Sequence, residues 1–198
     1  MRERSKYRKY LVTVVVALMA TGIVFAAYPL FQSLSVPEHI VSDNVHRYDL
    51  STLTPGESIL VLVKGMPIRI THRTDEAISS LSNSESLLID PDSERSQQPL
   101  FAENVIRSIK PEHFIALAVT EYAEEGIMGC SLQPADADDF KYLDFQFNGG
   151  YFETCRGAWY DHSGRVYKGS VPSALNLHVP EYRYLSKNVI EIVYSDEW

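Results

Sequence analysis

The hydrophobic pattern of the chain begins with one long uncharged run. Leu11 to Tyr28 carries no charged residue, and Pro29 with the polar residues after it ends the run. Eighteen residues in a helix rise about 27 Å, which is close to the hydrocarbon thickness of a bilayer. Five basic residues and a single acid precede the run within the first nine positions. The pattern therefore predicts that residues 1–30 form a basic cytoplasmic stub followed by a transmembrane helix.

A cleaved signal peptide is the alternative interpretation of this segment. Such a peptide has a shorter apolar core, with small residues three positions and one position before the cut. Phe25-Ala26-Ala27 matches that requirement poorly, so an uncleaved anchor is the prediction. Because basic flanks stay in the cytoplasm, we expect the rest of the chain on the periplasmic side of a bacterial inner membrane.

Short apolar segments separated by turn residues follow the anchor. Residues 31–45 are polar and predict a tether, and residues 46–198 predict one outer domain. Within it, two apolar segments flank Lys64–Pro67 and predict a β-hairpin, whereas the Ser- and Asp-rich stretch 75–98 predicts a surface excursion with at most a short helix. Further strands are predicted at Phe114–Val119, Tyr142–Phe147, Tyr151–Phe152, Arg165–Tyr167 and Val189–Tyr194. Many short strands with Gly and Pro turns are typical of an all-β sandwich or small barrel.

Composition and charge remove several classes of function. Hydrophobic residues make up 45% of the chain and charged residues 22%, as in ordinary globular proteins. The net charge of −8 has the wrong sign for a nucleic-acid-binding protein. Two cysteines supply neither a four-Cys zinc site nor all ligands of a Cys-only iron–sulfur cluster. Outside the bacterial cytoplasm two thiols tend to pair, so Cys130 and Cys155 are the candidates for one disulfide.

A glycine-rich segment in the last third of the chain carries a specific motif. Gly149 to Gly169 reads GGYFETCRGAWYDHSGRVYKG, and Lys64 to Thr74 reads KGMPIRITHRT. The first segment resembles the second cluster-binding loop of Rieske iron–sulfur proteins, and the second resembles a segment of the Rieske subunit of cytochrome bc complexes. The resemblance covers essentially the whole chain. It implies an all-β Rieske-type sandwich with a smaller cluster-loop-like subdomain, preceded by one N-terminal transmembrane helix.

The resemblance also exposes departures at the cluster site. In Rieske proteins two Cys and two His hold a [2Fe–2S] cluster. Placed residue by residue, the resemblance puts those four ligand positions on Glu125, Ile127, Glu153 and Arg156. It puts the family's loop-joining disulfide on Cys130 and Cys155. We therefore expect a chain that keeps the disulfide and has no [2Fe–2S] cofactor, no metal and no catalytic residue.

Two arrangements of the substituted positions stay open. Glu125, Glu153 and Arg156 either fill the vacated space as an ion-pair network, or the loops open and these side chains are solvated. The reason for considering the network is that an empty cavity and a lone buried carboxylate both cost stability. Ala158 replaces a Ser that in the family donates a hydrogen bond toward the cluster, whereas Tyr160 is retained.

The function implied by the resemblance follows from these departures. We expect a membrane-anchored, non-redox structural or regulatory subunit associated with a respiratory complex, either of cytochrome bc type or an associated oxidase. One alternative is an electron-transferring Rieske subunit of ubiquinol–cytochrome c reductase with an atypical centre, which would make the chain part of an enzyme. Another alternative is a free-standing periplasmic binding module. The expected partners include the membrane and exclude nucleic acid.

Overall fold

The computed structural model of the chain describes residues 2–34, 46–96, 98–123 and 128–193. The chain divides into two compact units, Met1–Asp43 and Asn44–Trp198. In the first unit the structure describes one helix, Arg2–Leu34 (α1). Among the described residues, no helix combines the length and the apolar character that crossing a membrane requires. The anchor expected over Leu11–Tyr28 stays a prediction.

The second unit is built mainly from β-strands, as the sequence predicts. The strands described here are His46–Asp49 (β1), Ser58–Val63 (β2), Met66–His72 (β3), His113–Leu117 (β4), Val119–Glu121 (β5), Met128–Ala135 (β6), Gly150–Glu153 (β7), Trp159–Tyr160 (β8), Tyr182–Tyr184 (β9) and Val189–Ile192 (β10). The connection from β3 to β4 contains the α-helix Asp75–Asn83 (α2) and the 3-10 turns Glu85–Leu87 and Leu100–Ala102. Arg165–Tyr167, predicted as a strand, forms isolated β-bridges instead.

The described strands form three antiparallel sheets around one shared core. The strand orders are β1-β10-β9, β2-β3-β4 and β5-β6-β7-β8. Ile190 of the first sheet, Ile68 of the second and Leu132 of the third are completely buried in the same hydrophobic cluster. Burying an aliphatic side chain of this size contributes roughly 1.5–3 kcal/mol. The shared core therefore holds the three sheets together.

The hairpin predicted around Lys64–Pro67 is present, with a tighter turn than the sequence suggested. β2 and β3 pair along their whole length. Only Lys64 and Gly65 remain between the strands, and their φ angles are 47° and 90°. Two positive φ angles in succession make the two-residue turn that matches the right-handed twist of paired strands. Pro67 thus belongs to β3 rather than to the turn.

The excursion predicted over residues 75–98 begins with the short helix α2. Thr74 caps this helix, because its Oγ1 accepts a hydrogen bond of 3.2 Å from the backbone N–H of Ala77. Asp75 and Glu76 place negative charge in the first turn, where the helix dipole favours it. The helix is therefore specified by its own N-terminal sequence.

The strand predicted over Tyr142–Phe147 is wrong, because this segment is irregular and belongs to a second, aromatic cluster. The rings of Phe140 and Phe147 meet Trp159 edge to face, with centroids 4.8 and 4.9 Å from the indole ring. Tyr142 is 75% exposed. The alternation in the sequence thus comes from aromatic residues that enter the cluster from an irregular chain, and not from a pleated strand.

Two fully buried arginines fix the loops around the glycine-rich segment, and Arg107 is the first. Its guanidinium donates hydrogen bonds to the carbonyl oxygens of Ser163 at 3.0 Å and Leu177 at 2.8 Å. Burial lowers the pKa of Arg107 to about 10, so the side chain is still cationic at neutral pH. Arg107 therefore ties the connection before β4 to two later loops.

Arg165 is the second buried arginine, and Asp161 is its counter-ion. Asp161 Oδ2 lies 2.8 Å from a terminal nitrogen of the Arg165 guanidinium and 2.9 Å from Nε. The two side chains are 2% and 0% exposed. Asp161 Oδ1 also accepts the backbone N–H of Ser163, and Arg165 donates to the carbonyl of Leu81 in α2. The pair thus fixes the turn after β8 and attaches α2 to it.

We predict that Asp161→Asn destabilises the full chain by about 3–5 kcal/mol, because it leaves the Arg165 charge buried without its counter-ion. Urea denaturation of the detergent-solubilised protein at pH 7 measures this change. Asp138→Asn is the matched control, since Asp138 pairs with Lys141 at the surface and its loss should leave the unfolding midpoint unchanged. Equal midpoints for both variants would contradict the structural role of the buried pair.

Candidate functional site

The disulfide implied by the resemblance is present and joins a strand to a turn. Cys130 lies in β6, and Cys155 lies in the turn between β7 and β8. Their Cα atoms are 5.7 Å apart. The turn is closed by a hydrogen bond of 3.1 Å from the N–H of Gly157 to the carbonyl of Glu153. The bridge therefore connects β6 to the tip of the β7–β8 hairpin.

Two of the four substituted ligand positions lie beside this bridge, whereas Glu125 and Ile127 lie outside the described residues. Glu153 is the last residue of β7 and is 0% exposed. Arg156 lies in the following turn and is exposed. The choice between the ion-pair network and open loops also involves Glu125, which lies outside the described residues, so both arrangements stay predictions.

The carboxylate of Glu153 accepts four hydrogen bonds, two on each oxygen. Oε1 accepts from the backbone N–H groups of Cys130 at 3.0 Å and Cys155 at 2.8 Å. Oε2 accepts from the backbone N–H of Arg156 at 2.9 Å and from the hydroxyl of Tyr122 at 3.0 Å. Tyr122 directly follows β5. The carboxylate thus joins β6, the hairpin turn and the end of β5.

These four donors decide the charge state of Glu153. Burial opposes the charged form and by itself would raise the pKa of the carboxyl group. The hydrogen bonds from the three backbone N–H groups and from Tyr122 outweigh burial, and the pKa of Glu153 is lowered. The centre of the site is therefore a buried negative charge that peptide and phenol dipoles stabilise.

The side chain of Arg156 covers the phenol ring that holds Glu153. The Cζ atom of its guanidinium lies 4.4 Å from the centroid of the Tyr122 ring. A cation over an aromatic face is attracted by the quadrupole of the ring. Arg156 therefore supports the site twice, through its backbone N–H on the carboxylate and through its side chain on Tyr122.

A third loop pairs with the chain on either side of Tyr122. The N–H of Ala123 donates to the carbonyl of Ser173 at 2.8 Å, and the N–H of Leu175 donates to the carbonyl of Glu121 at 2.9 Å. Three loops that are distant in sequence thus meet around one tyrosine and one carboxylate.

Sequence reasoning located Glu153 and Arg156 but missed Tyr122 and Thr120. The hydroxyl of Tyr160, the tyrosine retained from the family pattern, donates to Thr120 Oγ1 at 3.1 Å. Burial raises the pKa of Tyr160, so the hydroxyl stays protonated. The sequence indicates that a buried carboxylate needs hydrogen-bond donors. Which residues supply those donors depends on which strands become neighbours in the fold.

The described side chains do not match the donor set of a Rieske cluster. Within the described ranges, one group of metal-ligating residue types comes together, with ligand atoms within 4.8 Å of one another, namely Cys130, Glu153 and Cys155. The two sulfur atoms are bonded to each other, and both carboxylate oxygens are engaged. A Rieske centre takes two thiolates and two imidazoles. We therefore assign no chemical step through these side chains.

We predict that Glu153→Gln destabilises the full chain by about 2–4 kcal/mol at pH 7, because the amide NH₂ faces donors that need an acceptor. The destabilisation depends on pH. Since the folded-state pKa of Glu153 lies below its ordinary value of 4.5, the stabilisation is complete above that value and is lost as pH falls through the folded-state pKa. Urea denaturation between pH 7 and pH 3 measures the difference between the variant and the wild type.

Glu121→Gln is the matched control for this prediction. Glu121 precedes Tyr122, and burial raises its pKa, so removing its charge at pH 7 should not destabilise the chain. The difference in the free energy of unfolding between the wild type and Glu153→Gln should become smaller as the pH falls. A difference that stays constant or grows would contradict an ionised Glu153.

Comparison with known proteins yields no matching family profile but several similar curated proteins. The ubiquinol–cytochrome c reductase iron–sulfur subunit of Allochromatium vinosum is 32% identical over 188 residues, which cover 93% of this chain and 87% of that protein. The mitochondrial cytochrome b-c1 complex subunit Rieske of Saimiri sciureus is 31% identical over 196 residues, covering 96% of this chain and 62% of that protein. A solved chain from a hyperthermophilic respiratory Complex III covers 89% of this chain and 96% of its own length at 17% identity, with a TM-score of 0.40.

The relatives correct the expectation about the cofactor. The replaced ligand positions led to the prediction that no [2Fe–2S] cofactor is present. That prediction is wrong, because the bacterial relative that matches 93% of the chain is by name an iron–sulfur subunit. The mismatch with the ligand set of a Rieske cluster concerns only the described side chains Cys130, Glu153 and Cys155.

The family assignment rests on the two sequence relatives. Identity of 31–32% extends over more than nine tenths of the chain, and both relatives are Rieske or iron–sulfur subunits by name. The predominantly β fold of the second unit agrees with the fold that the resemblance implies. The chain belongs to the family of Rieske iron–sulfur proteins.

Proposed function

We propose that the chain is a subunit of a respiratory complex of cytochrome bc type. The proposal is supported by the relatives, which are named as subunits of ubiquinol–cytochrome c reductase and of the mitochondrial cytochrome b-c1 complex. The alignments with these relatives cover 93% and 96% of the chain.

The proposed topology has a single membrane anchor. Residues 1–30 form the basic stub and the anchor, residues 31–45 are the tether, and residues 46–198 form the periplasmic domain of a bacterial inner-membrane protein. The uncharged run Leu11–Tyr28 behind a basic cluster supports this arrangement. The apolar side chains of Leu18 and Met19 in α1 are 67% and 64% exposed, which a lipid environment would accommodate.

The proposed role within the complex is structural or regulatory, and Glu153 is the observation that supports it. Both oxygens of its carboxylate are saturated by hydrogen bonds that join β6, the β7–β8 turn and the end of β5. The disulfide between Cys130 and Cys155 holds two of the same segments, β6 and the turn. The loop end is thus a rigid surface that acts by contact, and electrons do not pass through Glu153 or Arg156.

The second candidate is an electron-transferring subunit of ubiquinol–cytochrome c reductase with an atypical centre. The name of the bacterial relative as an iron–sulfur subunit favours it. In that case the loop end formed by Glu153 and Arg156 borders the iron centre, and a change in these side chains disturbs the iron. The two candidates share the partner complex and differ in what the outer domain contributes.

The first prediction is that the tagged full chain, purified from its native membranes in a mild detergent, brings cytochrome b with it. The haem b spectrum and the subunit stoichiometry of the purified sample measure this association. Recovery of the chain alone, without haem, would contradict the proposal and favour a free-standing periplasmic module.

The second prediction separates the two roles in the same purified complex. Arg156→Gln and Glu153→Gln should leave the iron and acid-labile sulfide per complex unchanged, because neither side chain is a ligand. Arg156 is exposed, so that variant should fold normally and keeps the test valid if Glu153→Gln is unstable. Loss of about half or more of the iron in the folded Arg156→Gln variant would support the electron-transferring role instead.

A further inference from the structure

The disulfide between Cys130 and Cys155 exposes its two ends unequally. Cys155 is exposed, and so are its chain neighbours Thr154 and Arg156 in the turn between β7 and β8. Cys130 is half-buried in β6, which lies between β5 and β7 in its sheet. A thiolate that exchanges with a disulfide must reach one of the two sulfur atoms directly. A reagent in solution therefore meets this bridge at Cys155.

A second link holds the same two residues together without using their sulfur atoms. Glu153 Oε1 accepts the backbone N–H of Cys130 at 3.0 Å and the backbone N–H of Cys155 at 2.8 Å. The turn is also closed by the hydrogen bond from the N–H of Gly157 to the carbonyl of Glu153. None of these hydrogen bonds uses the S–S bond. Breaking that bond therefore leaves both cysteines attached to one carboxylate oxygen.

We propose that the bridge is a reversible thiol–disulfide exchange site, at which a protein with a reactive dithiol attacks Cys155. Glu153 is a positioning residue for this exchange, because it touches the backbone of both cysteines and takes no part in the chemistry. It keeps the reduced cysteines beside each other, so that the same bridge forms again on oxidation. A covalent bond that is backed by hydrogen bonds on the same two residues can open without unfolding the chain.

The exchange proceeds in two steps. A thiolate of the dithiol protein attacks Cys155 Sγ and forms a mixed disulfide, while the electron pair of the broken S–S bond stays on Cys130 Sγ, which takes a proton. The second thiolate of the dithiol protein then attacks its own sulfur atom in the mixed disulfide and releases Cys155, which also takes a proton. The dithiol protein supplies both electrons and both protons and leaves as a disulfide.

Reduction changes how firmly the hairpin tip is held. The chain contains two cysteines, so reduction removes its only disulfide. The tip of the β7–β8 hairpin is then joined to β6 by hydrogen bonds alone. In the contact role proposed above, the oxidation state thus sets the rigidity of the surface that the tip presents to the partner complex. That consequence rests on the proposed function, whereas the exchange itself does not.

Glutathione tests which sulfur atom is attacked, on the detergent-solubilised full chain with the wild-type sequence. A monothiol gives a mixed disulfide, which rapid alkylation of the free thiols traps and peptide mass spectrometry assigns to one cysteine. We expect at least about tenfold more glutathione on Cys155 than on Cys130, because exchange depends on access to the attacked sulfur atom. Equal amounts on both cysteines, or an excess on Cys130, would overturn the proposal.

Dithiothreitol tests whether the bridge opens in the folded chain. The reaction is run without denaturant at about pH 8, where part of the reagent is thiolate. The rate at which thiols appear should rise in proportion to the dithiothreitol concentration, since the reagent attacks the folded protein directly. A rate that does not depend on the dithiothreitol concentration would show that the bridge opens only when the chain unfolds. That result, or a bridge that stays intact, would overturn the proposal.

Glu153→Ala tests the positioning role by removing the oxygen that both cysteines share. The equilibrium constant for closing the bridge in a glutathione buffer should fall at least about tenfold, because the two thiols are then no longer held together. Glu153→Gln keeps one acceptor oxygen and should recover part of the loss. Glu121→Gln is the matched control, since it removes a neighbouring carboxylate that accepts no hydrogen bond from either cysteine.

An equilibrium constant that is unchanged in Glu153→Ala would contradict the positioning role. The measurements with glutathione and dithiothreitol use the wild-type chain, so they decide the exchange even where Glu153→Ala does not fold. Copurification with haem b tests the proposed function separately, and a failure of either proposal is therefore distinguishable from a failure of the other.

Discussion

The site depends on one buried carboxylate. Glu153 has no exposed surface, and its two oxygens accept four hydrogen bonds from three separate segments of the chain. An unpaired carboxylate in this position would cost several kcal/mol, so the surrounding backbone must stay in register to supply its donors. The disulfide beside it limits how far the loops can separate, and the Tyr122 ring with Arg156 above it closes the remaining side.

Local sequence features predicted the elements that are specified locally. The hairpin of β2 and β3 follows from two apolar segments around a short turn, and the short helix expected in the stretch 75–98 is α2. The strand β6 escaped prediction because its segment Met128–Ala135 has no clear alternation, and its pairing with β7 spans a long stretch of chain. The strand predicted over Tyr142–Phe147 is wrong because the apolar residues that enter the aromatic cluster from this irregular segment alternate along the sequence as they would in a strand.

The candidate site was partly predictable for a similar reason. Resemblance to a family locates positions along the chain, and the structure brings Glu153, Arg156 and the two cysteines beside one another. It does not supply the donors that a substituted side chain recruits, and Tyr122 was therefore invisible in the sequence. Residue types at four positions also do not decide whether the protein holds a cofactor, which the named relatives made clear. The presence of Glu153 at one of these positions determines the local electrostatics, because it places a negative charge among N–H and O–H donors.

The ionisation state of Glu153 in the folded protein is the most direct test of this account. Infrared difference spectra of the wild type against the Glu153→Gln variant, recorded across a pH titration, isolate the bands of this one side chain. The account predicts the carboxylate bands at neutral pH and their persistence below the ordinary carboxyl pKa of 4.5. A protonated C=O band from Glu153 at neutral pH would show that burial outweighs the four donors, and it would contradict the central claim.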